Sequence, residues 1–432
     1  MLKERLGQAG RVLGWAAGLF LAAAVGASGG DIPLDLSPLP ALESASAVKA
    51  PTPTAVFAPV ASSDPAADDE PFYVLCYHRF LNHPDEDEDL AQAEYQMPLE
   101  EFKWQMQYLK DNGFHPISKE QLMGYWFQGK PLPLKPVLIT FDDGFRTIYR
   151  DAFPVIKTQG YPTILFLYTK FVEYRELAAK KREEEGTKHK TPKKFEALED
   201  SDILDMEKSG MMVESHTANH LNLGKEGEKL DAAGARKLWT YELNQPLTFI
   251  ETRFKNKPDW LAYPYGVYDP GILKVTETEG YKLAFTVNPG PNDRTLPPLM
   301  LKRNLVLYPI SHDRFAAIFK DKVLHLKGLT PGDGVLIDSQ KPVISAKILD
   351  DVVPKSVQLQ VGNHFMKVQY NPKTHVFSRQ LQAPLARGGH ILTAMATDKN
   401  GSTRVFNWYF RIRHLQPETS PKDEGTDDAT EN

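Results

Sequence analysis

Two short stretches of this chain hold the residue types of metal-assisted hydrolysis. In KPVLITFDDG, residues 135–144, an apolar run ends on adjacent carboxylates, Asp142 and Asp143, with Gly144 behind them. In MMVESHTANH, residues 211–220, a second apolar run leads to His216 and His220. Two imidazoles and one carboxylate make an open three-ligand set for a divalent cation, with positions left for water and substrate. The other carboxylate then has a different task, because an acid held beside activated water can take its proton. Adjacent residues of an extended strand point to opposite faces, so the chain has to bend for both aspartates to reach one site, and Gly144 would permit the bend. A spacing of four brings both histidines to one side if their segment turns helical. Each piece alone is common: Asp-Asp-Gly is an ordinary turn, and Thr217 rules out the His-Glu-x-x-His pattern. Their order, each after a strand-like run, is what makes the pair informative.

The elements that would position these groups follow from periodicity. FYVLCYH, PVLITF, YPTILFLY, MMVES, DWLAY, KLAFTV and NLVLY are short apolar runs that read as buried strands. Between them lie helical patterns such as LEEFKWQMQYLKDNGF, where Phe102, Met106 and Leu109 share one face and Gly113 is a natural stop. FRTIYRDAFPVIKTQG is also helix-like, with Pro154 interrupting its middle. Strands alternating with helices predict parallel βαβ units and an α/β fold, a complete or distorted β/α barrel. Catalytic groups of such a barrel sit at the C-terminal ends of its strands, where both motifs fall.

The chain has 432 residues, 41% of them hydrophobic, and a net charge of −5. That balance fits a globular protein of more than one domain and gives no basic excess for a nucleic-acid partner. Cys76 is the single cysteine, so it is read as a small buried residue with no disulfide partner in the chain. Residues 1–27 have the layout of a signal peptide: basic residues, the apolar run VLGWAAGLFLAAAVGA, then small residues at Val25 and Ala27. Export to the periplasm, cell envelope or exterior is therefore expected, with membrane contact only through this segment. Residues 28–71, rich in Pro, Ala and Ser, read as a linker, and the mixed-charge stretch 173–200 reads as a solvated insertion. Beyond about residue 329 the period changes to two, in PVISAKIL, SVQLQVG, HILTAMATD and NWYFRIR. These short strands predict a small all-β sandwich over residues 329–413, followed by an acidic tail, 414–432.

TFDDG and SHTANH resemble the first two motifs of the polysaccharide deacetylases, carbohydrate esterase family 4, also called the NodB-homology domain. The resemblance spans about residues 72–325. It implies the distorted form of the barrel, a domain over residues 72–328 that removes acetyl groups from N-acetylated glycans with a divalent metal, commonly Zn2+, with Co2+, Ni2+ or Fe2+ as alternatives. Carried over, it implies Asp142 as general base, with Asp143, His216 and His220 as metal ligands. The family's third motif usually carries an Arg, but here WLAYPYG has Ala262 or Tyr263 near that place. This variant is similar to the exported poly-N-acetylglucosamine deacetylases, and it implies that the backbone N–H of Tyr265 helps hold the oxyanion. The family's acid is a histidine. VLHLKG offers His325 and LCYHRF offers His78. The biofilm-glycan deacetylases place it on an early strand, so His78 is the expected acid. Trp260, Tyr263, Tyr265 and Tyr268 could line a sugar groove or simply pack in the core. GGHILTAMATDKNGSTRVFNWYFRI resembles bacterial immunoglobulin-like modules, which speaks to fold and not to activity. The expected substrate is an extracellular or cell-wall polysaccharide, first of all poly-β-1,6-N-acetylglucosamine. Rival readings are an O-deacetylase, a non-catalytic glycan-binding protein and a non-haem iron oxygenase.

Overall fold

Six short strands alternate with helices, a seventh follows the sixth without one, and their hydrogen bonding gives a single parallel sheet. They are β1 (Tyr73–Tyr77), β2 (Pro136–Asp143), β3 (Thr163–Leu167), β4 (Met211–Ser215), β5 (Trp260–Ala262), β6 (Leu283–Phe285) and β7 (Asn304–Leu305). The computed structural model describes residues 70–81, 93–175, 196–362 and 364–414. The expected signal peptide, most of the linker, nearly all of the acidic tail and the middle of the 173–200 insertion lie outside these residues.

Spatial order is β7-β1-β2-β3-β4-β5-β6, every neighbouring pair parallel, with His115–Pro116 also pairing β2. The segment entering β7 carries the pairing round to the far edge. Leu301 N–H donates to Ala284 O, Thr286 N–H to Leu301 O and Arg303 N–H to Asn288 O. The ring is therefore closed but uneven, and β4 meets β5 at a single residue pair. This is the distorted form of the β/α barrel expected from the alternation of elements.

Side-chain period two divides each strand between two cores. Val137, Ile139 and Phe141 of β2 join an outer cluster with Phe102, Met106 and Leu109 of the helix Leu99–Asp111. Burial of each such side chain stabilises the fold by about 1.5–3 kcal/mol. Leu138 joins the inner cluster with Val74, Ile164, Phe166, Trp260 and Phe285. Pro154 does not break a helix: a π turn at Ile148–Ala152 precedes it, and it occupies the first turn of the helix Phe153–Gln159, where a missing N–H costs nothing.

Beyond the barrel the chain forms a six-stranded and a four-stranded sheet. Residues of both, among them Ile344, Phe377, Leu359, Leu392 and Trp408, share one core. The strand Thr403–Ile412 pairs antiparallel with Gly388–Thr397, but parallel with Lys322–Val323 and with Leu336–Ile337. It also lies against the barrel: Arg411 spans Glu228 and Asp269, and the Asn407 amide donates to Pro289 O.

His325 sits at this seam, with Nε2 2.9 Å from Asp293 Oδ2 and Nδ1 2.8 Å from Asp350 Oδ1. Those two carboxylates hold both ring protons and push its pKa up to about 10. An unfolded histidine titrates near 6.5. The stabilisation is therefore complete below that pH and drains away as pH rises toward the folded value. Thermal denaturation should show the wild type losing more of its melting temperature between neutral and alkaline pH than His325→Gln. Parallel curves for the two proteins would contradict this.

Candidate active site

The strand register levels the C-terminal ends of the barrel. Tyr77 pairs with Phe141, Asp143 with Leu167, Leu167 with Ser215 and Ala262 with Phe285. The residues that follow these ends, His78, His216 and the 263–266 turn, consequently meet the two aspartates in one layer. All six residues singled out from the sequence are brought together there. His78 Nε2 is 4.0 Å from Asp142 Oδ2, His216 Nε2 is 3.5 Å from Asp143 Oδ1, and His220 Nε2 is 3.3 Å from that same oxygen. The Tyr265 ring lies 4.9 Å from the His220 ring.

The bend that joins the aspartates occurs one residue earlier than Gly144. Strand β2 runs through Asp143, whose φ of 73° turns its carboxylate back toward the side occupied by Asp142. Gly144 is still favoured, because its own φ of 97° is one that side chains rarely adopt. The histidine segment is likewise not helical. It is an irregular loop in which Thr217 and His220 have φ of 67° and 55°. With Tyr265 at 59°, four non-glycine residues of this one layer adopt the left-handed region. Each such residue costs on the order of 1–3 kcal/mol, which concentrates strain at the site.

Asp143, His216 and His220 offer ligand atoms that all lie within 4.8 Å of one another. The His216 Nδ1–H donates to Ala262 O at 2.8 Å, which aims the Nε2 lone pair at Asp143. Asp143 Oδ1 is buried yet makes no hydrogen bond. Burial pushes His220 down to about 4, so its ring is neutral near pH 7. Burial opposes protonation of His216 too, but the Asp142 and Asp143 carboxylates outweigh it and draw its pKa up. An orphaned carboxylate oxygen among imidazole lone pairs, in a site that attracts positive charge, fits a divalent cation.

Asp142 is held differently. Arg303 forms a two-pronged ion pair with it, Nη1 to Oδ1 at 2.7 Å and Nη2 to Oδ2 at 2.8 Å, while Nε donates to Thr286 O at 3.0 Å. Arg303 is fully buried. Burial pushes the Asp142 carboxyl up, but Arg303, with His216 and His78, outweighs it and holds the group below the usual carboxylate range. The Cys76 thiol donates to Asp142 Oδ2 at 3.3 Å. Cys76, His78 and Asp142 also cluster as potential ligands. Arg303 already neutralises that carboxylate, and burial pushes the thiol well above its usual pKa, so the set is poorly suited to a second cation. Burial pushes His78 down against the pull of Asp143 and Asp142.

Arg303 was not legible from the motifs. Neither Ala262 nor Tyr263 supplies the expected cation: Ala262 orients His216 through its carbonyl, and Tyr263 is buried, its hydroxyl 3.3 Å from Thr276 Oγ1. The guanidinium arrives instead from the segment entering β7. The only sequence signal was Lys302-Arg303 inside the apolar run LMLKRNLVLY, where two cations need buried partners. His325, at the seam, is paired with Asp293 and Asp350 instead of facing this layer.

Residues 129–284 match the family model described as polysaccharide deacetylase. YxkH of Bacillus subtilis (strain 168), whose name places it among polysaccharide deacetylases, is 30% identical over 224 residues, 51% of this chain and 69% of that protein. The poly-beta-1,6-N-acetyl-D-glucosamine N-deacetylase of Staphylococcus aureus (strain MRSA252) is 25% identical over 213 residues, 48% of this chain and 68% of its own length. Among solved structures, IcaB from Ammonifex degensii is 25% identical, with 58% of this chain and 96% of that one covered at a TM-score of 0.45.

Proposed function

Because the chain belongs to the polysaccharide deacetylase family, we propose that it hydrolyses the acetamides of an exported poly-β-1,6-N-acetylglucosamine, releasing acetate and leaving free amines on the polymer. The substrate reading rests on the relative from Staphylococcus aureus named for that polymer. One observation carries the chemistry: an orphaned Asp143 oxygen facing His216 and His220, beside an Asp142 that Arg303 holds ionised.

Asp143, His216 and His220 would hold the cation, which when bound supplies Lewis acidity toward water and carbonyl. Its donor set suits Zn2+ and does not exclude Co2+, Ni2+ or Fe2+. Asp142 accepts a proton from the attacking water. The Tyr265 N–H donates to the oxygen that gains charge as the carbonyl becomes tetrahedral. His78 gives a proton to the sugar nitrogen as the C–N bond breaks. The exposed Tyr265 ring, with Tyr168 beside His220 and Tyr95 beside His78, offers flat apolar faces to a sugar chain.

The chain is read as a deacetylase domain over 72–328 and an immunoglobulin-like sandwich over 329–413, with export directed by residues 1–27. Among the described residues no helix is long and apolar enough to cross a membrane.

The test is acetate release from defined β-1,6-linked N-acetylglucosamine oligomers, compared with peptidoglycan and chitin oligomers, before and after chelation. Acetate from the β-1,6 oligomers, lost on chelation and restored by metal, is expected; release only from the other glycans would overturn the substrate reading. An O-deacetylase differs in its leaving group, since an alkoxide departs more readily than an amide nitrogen. His78→Ala should therefore lower kcat on the amide by about 10²–10⁴-fold and spare an acetate ester far more. Equal losses on both would remove His78 from the role of acid.

A further inference from the structure

The loop that carries both histidines does not hold its own shape. Thr217 is β-branched and left-handed, and His220 is left-handed as well, so neighbouring groups must impose the conformation. Two backbone contacts come from beside β3: Thr169 N–H donates to Thr217 O, and Lys170 N–H to Ala218 O. The Thr217 N–H donates to Ser215 Oγ at 3.3 Å, and three further contacts converge on one residue of the helix Ala232–Phe254. Glu242, fully buried, accepts the Asn219 N–H at Oε2 (2.8 Å) and the Asn219 side-chain amide at Oε1 (2.7 Å). The Thr217 Oγ1 in turn accepts the His220 N–H at 3.1 Å, which ties the two left-handed residues to each other.

The main chain of Glu242 takes part too, through a feature that looks like a defect. Pro246 lies inside this helix. It has no N–H to give to the carbonyl four residues back, which is that of Glu242. That carbonyl accepts the Ala218 N–H instead, at 3.0 Å. Proline in a helix interior costs about 3 kcal/mol or more, and here the freed acceptor is the one that meets the ligand loop.

We propose that Glu242 is a positioning residue: its carboxylate, and a carbonyl kept free by Pro246, hold residues 217–220 in the backbone geometry that turns His216 and His220 toward Asp143. The proposal rests on the reading of Asp143, His216 and His220 as metal ligands. Toward Glu242 the Asn219 N–H and the Asn219 side-chain amide both donate, one to each carboxylate oxygen, so a carboxamide there offers one acceptor where two are used and keeps both contacts only if the Asn219 amide turns over. Groups of this kind behind metal ligands typically change metal affinity by about 10- to 100-fold when lost.

The test uses the full chain stripped of metal and titrated with Co2+, following its visible absorption and the dissociation constant by chelator competition. Glu242→Leu, which removes both acceptors, is expected to weaken Co2+ binding about 10- to 100-fold and to alter the absorption bands, and Glu242→Gln, which keeps one, to weaken it less. Asn219→Asp alone, setting two carboxylates face to face, should also weaken it. The double variant Glu242→Gln with Asn219→Asp restores matched donors and acceptors and should recover most of the affinity and the wild-type spectrum. Melting of the metal-free proteins separates loss of fold from loss of geometry, since a merely structural role would not be rescued in the spectrum. Pro246→Ala gives Glu242 a competing helical N–H; it should raise metal-free stability yet weaken Co2+ several-fold, and unchanged affinity would strike out the carbonyl. Single Glu242 and Asn219 variants with wild-type affinity and spectrum, or a double variant no better than its parents, would overturn the proposal while leaving the metal site standing. A wild-type protein that binds no Co2+ would bring down the metal-site reading and this inference together.

Discussion

Asp142→Asn should lower kcat for acetate release by about 10²–10⁴-fold, the usual contribution of a positioned proton acceptor, while the protein still binds metal. An amide has nearly the shape of the carboxylate but cannot take a proton from water. Asp142 is not one of the three candidate ligands, Asp143, His216 and His220, so metal uptake should be little changed. The substitution also leaves the Arg303 charge buried without its counter-ion. Activity, metal content and melting temperature therefore need to be measured on the same preparation. A folded, metal-loaded Asp142→Asn protein retaining more than a tenth of wild-type kcat would remove Asp142 from the role of base.

Arg303→Met should destabilise the fold by about 3–5 kcal/mol, because it strands a carboxylate in a buried site. Arg303 and Asp142 are both almost completely buried, and two parallel hydrogen bonds join them. Removal of one charge leaves the desolvation penalty of the other uncompensated, whereas changing both leaves no buried charge, only an uncharged amide. The double variant Arg303→Met with Asp142→Asn should thus be more stable than Arg303→Met alone. Activity should fall in Arg303→Met as well, since Asp142, the proposed base, loses both its orientation and the charge that keeps it ionised. Denaturant midpoints of the four proteins complete the cycle. A double variant less stable than either single would mean the pair contributes through packing and not through charge.

Chemistry was readable wherever local sequence dictates it. The Asp142–Asp143 pair, His216 and His220 each follow an apolar run, and a parallel strand ends where its apolar run ends. His78 followed by the same rule, because β1 stops at Tyr77. Period two over residues 329–413 showed an all-β region, since alternation is a property of neighbours along the chain.

Three features were decided only in three dimensions. Arg303 is 161 residues from Asp142, and nothing between them in sequence announces the contact. It exists because the 301–305 segment closes the ring beside β1 and so passes under the site. The loop geometry of His216–His220 could not come from spacing, which suggested a helix. Tertiary hydrogen bonds to Glu242, Thr169 and Lys170 override that preference and fix left-handed residues no local rule favours. His325 offered a plausible motif but was drawn into an ion pair between Asp293 and Asp350, a choice made by where the two carboxylates happen to meet. Local sequence thus determined which side chains stand at strand ends; the closed sheet alone decided which of them share a charge, because burial makes partners of groups that are distant along the chain.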